Sequence, residues 1–158
     1  MSLELERAHK KLYKLLDSFL ESKHFFWLRG PEQVFGSFAT AVFIDHMIFE
    51  EKVVPTDWNE KNIEHCCTES IPNTAGAPSI FPFVMIRILE AFFLFLEEKK
   101  TLKNGTALAK HIREIEPEIL AGFAKSPMVA LSRNILSSPF DDIEGFYDEQ
   151  PKDYSSRN

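Results

Sequence analysis

Cysteine is nearly missing from this chain. Its two cysteines, Cys66 and Cys67, are neighbours. Adjacent residues cannot staple distant segments, and a bridge between them would be strained. A disulfide framework is therefore excluded, and the usage fits a reducing compartment. A surplus of positive charge is missing as well, since the formal net charge is −6. Most of that charge is local. Residues 139–158 hold six acids and two bases, a net of −4, while residues 1–138 hold 18 acids and 16 bases, a net of −2. A nearly neutral body argues against a nucleic-acid-associated regulator, because phosphate binding needs a cationic surplus.

Long uncharged runs are also lacking. The most apolar stretch, Ile80 to Leu96, is 17 residues and carries Arg87 and Glu90 in its middle. It is short for a bilayer, and each internal charge is costly in lipid, so no membrane insertion is expected. The first residues, Met-Ser-Leu-Glu-Leu-Glu-Arg, mix charge into what would be an apolar leader. The expected location is cytoplasmic. No glycine-rich phosphate loop and no Gly-x-Ser-x-Gly elbow occurs.

What is present is helical periodicity and phenylalanine. Fifteen phenylalanines in 158 residues supply large apolar areas for one core. Leu5, Ala8, Leu12, Leu15, Leu16 and Phe19 recur at spacings of three and four, which predicts an amphipathic helix over 3–22. An aromatic cluster, His24 to Leu28, follows and is expected to end at Gly30. Pro31 opens a second helix to about Glu51. Small residues in it, including Gly36, Ala39 and Thr40, leave room for another helix. Asp57 and Glu60 form a candidate capping box for a helix over 58–68. Residues 69–79 contain two prolines and a glycine and read as a loop.

The stretch 80–99 is expected to be a central helix, with Lys99 and Lys100 favourable at its C-terminus. Further helices are expected over 106–115, 117–125 and 126–136, with Pro117 holding Glu116 out of helical geometry. The fold class is all-α: a single-domain multi-helix bundle, 1–138, around a central apolar helix, with an acidic tail, 139–158, expected to be flexible because it has too little apolar surface to offset its ordering entropy.

Several polar groups could carry chemistry. Asp45, His46 and Glu50 interrupt an apolar helix. His46 and Glu50 are four apart and share a face, so an interhelical pocket for a small ligand or a reaction is one reading. A satisfied polar contact at a helix junction is the other. Glu6 and His9 give one Glu-x-x-His, whereas a di-iron bundle needs two. His65, Cys66 and Cys67 point about 100° apart in turn on a helix and do not converge as zinc ligands do. Neither a metal nor a cofactor is expected.

The surface offers interaction candidates. Arg7, Lys10, Lys11 and Lys14 form a basic stripe, which is either a handle for an acidic partner or a solvated face. Arg87 and Glu90 share a face with Phe83 and Leu94, and this strip is expected to be the least buried part of the central helix. Phe146 and Tyr147 sit among the tail's acids. The leading function is a non-enzymatic helical interaction or accessory module, with an unknown protein partner or a second copy of the chain.

One stretch has a family likeness. Asp57-Trp58, the prolines Pro72 and Pro78, the apolar run Leu89 to Leu96, the break at Lys99 to Leu102 and the segment 106–115 are its carriers. In these, residues 56–136 resemble a bacterial helical domain that accompanies plasmid-ORF-3-like proteins and proteins ending in a SEC-C zinc motif. The cysteine-rich zinc tail of such proteins has no counterpart here, and Ser70-Ile71-Pro72-Asn73 lacks a basic residue after the proline. The resemblance implies an all-helical accessory domain and no catalytic residue.

Overall fold

The computed structural model describes residues 1–74 and 78–125, and among these every regular element is helical. The helices are α1 (Leu3–Leu20), α2 (Lys23–Phe26), α3 (Gly30–His46), α4 (Glu60–His65), α5 (Ile71–Thr74), α6 (Phe81–Glu98), α7 (Gly105–Glu114) and α8 (Glu116–Lys125). Two π-turns extend them: Met47–Glu51 continues α3, and Cys66–Ser70 joins α4 to α5. The expected last helix, 126–136, and the acidic tail lie outside the described residues.

The architecture is the all-α bundle that the periodicity predicts, with α6 at its centre. This helix packs on α3, α7, α2, α8 and α1. Eleven of its residues are buried, among them Phe81, Phe92, Phe93, Phe95 and Leu96. Rings from three other helices meet it. Phe19 of α1 lies 5.2 Å from Phe92, Phe43 of α3 lies 5.5 Å from Phe93, and Phe81 lies 5.9 Å from Phe123 of α8. Offset and edge contacts at these separations add to the burial of area. None of the described helices is long and apolar enough to cross a membrane.

Helix ends follow local chemistry. The Ser2 hydroxyl caps α1 by accepting the Leu5 N–H at 3.1 Å. The end of α6 is a Schellman closure. Lys100 takes the left-handed conformation (φ 62°), the Thr101 N–H bonds the Leu96 carbonyl, and the Lys100 N–H bonds the Glu97 carbonyl. Lys52, at φ 60°, stops the first π-turn in the same left-handed way.

Four expectations are corrected. Gly30 does not end the aromatic cluster but starts α3, where the Glu32 carboxylate accepts the Arg29 N–H at 2.9 Å. The cap of α4 is Asn59, paired reciprocally with Asn62, and Asp57 sits in a preceding 3₁₀ turn. Glu116 is helical as the first residue of α8, because Pro117 in the first turn has no N–H to satisfy there. The stretch read as a loop from residue 69 is helical to Thr74. Pro72 is tolerated within it at a specific place. Having no N–H, it offers nothing to the Thr68 carbonyl four residues back. That carbonyl faces Gly122 of α8, where a side chain would collide with it.

Candidate functional site

The exposed strip of α6 is the floor of a groove. Phe83 is 52% exposed and Leu94 37% exposed, and Arg87 between them is exposed too. Glu90 is the exception on this strip. Its carboxylate is held by Arg113 of α7 through two bonds, 2.5 Å to Nε and 2.8 Å to Nη2. That bidentate pairing half-buries Glu90 and holds the Arg113 guanidinium above its usual pKa.

Three cavities lie along this floor and share wall residues. One of about 460 Å³ lies over Leu94, Ala91, Glu90 and Arg87, walled by Lys23, Trp27 and Arg29. The next, about 250 Å³, shares Arg29, Glu32 and Arg87 with the first and reaches Phe83. The third, about 220 Å³, shares Phe83 and continues over Pro82 to Leu120, Phe123 and Ala124 of α8. The three therefore adjoin one another and form a segmented groove along α6. Its end at α8 is almost wholly apolar, and its other end sets Lys23, Arg29, Arg87 and Trp27 beside the carboxylates of Glu32 and Glu90. From Phe83 to Leu94 the floor runs about 16 Å, at 1.5 Å per residue.

The upper wall is built by the α2–α3 junction. The Ser22 hydroxyl caps α2, and the Gln33 side chain donates to the Leu28 carbonyl at 3.1 Å. These bonds fix a turn whose outermost side chain, Trp27, is 85% exposed. A tryptophan that exposed carries a large apolar area without cover. Lys23, Arg29 and Arg87 form no ion pair among the described residues.

The other sequence candidates fall elsewhere. Asp45 and His46 are neighbours in α3 but serve different contacts. Asp45 Oδ1 accepts from His9 Nε2–H and from the Tyr13 hydroxyl, each at 2.9 Å, and so ties α3 to α1. Burial and then the bond to Asp45 push the Tyr13 hydroxyl up to about 12. His46 donates from Nδ1 to the Val42 carbonyl at 2.9 Å and meets the Thr74 hydroxyl through Nε2 at 2.6 Å. Glu50 is exposed on the π-turn. The three do not converge, and none lines any of the three cavities. Arg7, Lys10, Lys11 and Lys14 are all exposed along α1. Phe146 and Tyr147 lie outside the described residues.

One cluster escaped the sequence reading. Glu51 Oε2 receives both His65 Nδ1–H and the Ser70 hydroxyl, each at 2.7 Å. Serine, histidine and glutamate together invite comparison with a hydrolytic triad, but the roles do not match. A triad histidine holds the acid with one nitrogen and takes the serine proton with the other. Here Ser70 gives its proton to the carboxylate, and the His65 nitrogen nearest to Ser70 is the one already donating to Glu51. The cluster instead ties the two π-turns together. Cys66 beside it is buried, and that burial pushes its thiol well up, away from the reactive thiolate. Among the described residues no group of three or more His, Cys, Asp or Glu side chains could hold a metal ion. No protein family, no curated protein and no solved structure matches this chain.

Proposed function

We propose that this chain is a non-enzymatic helical interaction module whose docking surface is the groove over α6. The observation that carries the reading is the alignment of these cavities along one helix. Three cavities share their walls, and their common floor is the uncovered strip of the most apolar helix. Exposed aromatic and aliphatic side chains with a polar rim are what a recessed contact surface needs. A floor of about 16 Å suits about three turns of an amphipathic helix, anchored at every third or fourth residue. The two free buried thiols agree with a reducing compartment, and the reading places the module in the cytoplasm.

The test is partner capture with the full chain and with Phe83→Asp and Leu94→Asp. Val34, 75% exposed and lining none of the three cavities, supplies the control Val34→Asp. All three changes are at the surface, and circular dichroism verifies that each variant keeps its helices. A specific partner should be bound about tenfold more weakly by each groove variant, the effect of losing about 1.4 kcal/mol, and normally by the control. A partner held equally by all four proteins would place the docking surface elsewhere and overturn the reading.

A further inference from the structure

We infer that the groove has a resident occupant, and that it is this chain's own segment 126–147, docked in cis. The inference rests on the groove being a docking surface, as proposed above. Its first support is position. The described chain leaves α8 at Lys125, directly after Ala124, which lines the apolar end of the groove. The segment therefore starts at the groove, and 33 residues follow Lys125 in the sequence.

The second support is order. Moving away from Lys125, the sequence places Met128, Leu131 and Ile135 first, at spacings of three and four, and then Asp141, Asp142 and Glu144. Moving away from α8, the groove is apolar first, at Pro82, Phe83 and Phe123, then balanced, with Arg29 and Arg87 beside Glu32 and Glu116. It is net cationic only at the far end, where Lys23 joins Arg29 and Arg87 beside Glu32 and Glu90 is neutralised by Arg113. The two patterns run in the same direction. An apolar stripe would meet an apolar floor, and the acids would follow onto the cations.

The third support is length. Residues 127–136, as a helix, would run about 15 Å, close to the span of the floor. About five further residues, extended, add roughly 16 Å, enough for the acids to reach the Lys23 end of the groove. A tethered segment also needs little intrinsic affinity, because its effective concentration at the groove is in the millimolar range or above. An external partner would then bind by displacing it.

Cysteine pairing in the full-length chain tests this directly, since the native thiols at 66 and 67 are buried. One variant combines Phe83→Cys with Leu131→Cys. A control combines Val34→Cys with Leu131→Cys. After mild oxidation at low protein concentration, the bridged peptides are mapped by mass spectrometry and the chain mass is read on a non-reducing gel. The expected result is a bridge between 83 and 131 within single chains, in clear excess over the control pair. Equal or negligible bridging in the two variants would overturn the inference. A bridge found only between chains would overturn it too, and would assign the groove to a second copy. Both failures leave the docking reading intact if Phe83→Asp and Leu94→Asp still weaken capture of a partner.

Discussion

Glu51, the last residue of the first π-turn, and His65, the last residue of α4 just before the second, meet at 2.7 Å. The hydrogen bond to Glu51 raises the His65 pKa above its ordinary 6.5, and burial offsets this in part. A histidine whose pKa is raised by folding adds stability that is fully present below the unfolded value. That stability is lost as pH rises through the higher folded value. The wild-type chain should therefore lose thermal stability as pH rises above the ordinary histidine value of 6.5 and through the higher folded value. Glu51→Gln should flatten this part of the profile. Parallel melting curves of the two proteins with unchanged slope would show that the pair is not coupled to folding.

Gly122 gives a prediction whose sign is diagnostic. In an exposed helix, replacing glycine by alanine stabilises by about 0.8–1 kcal/mol. At Gly122 a Cβ would collide with the Thr68 carbonyl, a backbone atom that cannot swing away. Gly122→Ala should therefore destabilise, by about 1–3 kcal/mol, as overpacking does. Urea unfolding measures it, and a more stable Gly122→Ala protein would show that α8 does not sit against the π-turn.

Two phenylalanines of the same helix should respond in opposite ways. Phe92 is fully buried and packs against Phe19 and Phe95. Phe92→Ala should cost about 3–5 kcal/mol through lost burial and the cavity left behind. Phe83, half-exposed on the groove floor, should lose clearly less as alanine than Phe92 does. Equal losses at the two positions in chemical denaturation would contradict the placement of the exposed strip.

The difference between these two positions was legible in the sequence, and much else was not. Phe83, Arg87, Glu90 and Leu94 follow the helical period, so their common face needs only the pitch of α6. Its burial elsewhere follows from apolar residues on every other side. The groove's upper wall could not be read in that way. Trp27 and Arg29 belong to a short turn whose direction depends on Gln33 and on the Ser22 cap, and no periodicity reports it. Pro72 and its neighbours carried loop signals. The π-turn and Gly122 accommodate that proline, and Gly122 is 50 residues away in sequence. Asp45 and His46 stood out as polar interruptions, but their partners His9, Tyr13 and Thr74 come from other helices. Spacing marks such residues as unusual without showing whether they meet.

Tyr13 and Asp45 provide the last prediction. Burial and the bond to Asp45 raise the Tyr13 hydroxyl from 10.0 to about 12. The pKa is raised by folding, so the associated stability is present below the unfolded value of 10.0 and is lost as pH climbs through about 12. The Tyr13 phenolate signal is the difference in ultraviolet absorbance between the wild type and Tyr13→Phe. It should appear near pH 12, or earlier only if alkaline unfolding intervenes. Asp45→Asn keeps the burial but removes the neighbouring negative charge, so the Tyr13 midpoint should fall part of the way back toward 10.0. The same substitution leaves His9 Nε2–H facing an amide, and it should weaken the packing of α1 on α3. If the Tyr13 midpoint is already near 10.0 in the folded wild type, the hydroxyl is solvated and does not bond Asp45. An unchanged midpoint in Asp45→Asn would assign the whole shift to burial, leaving Asp45 as a partner of His9 alone.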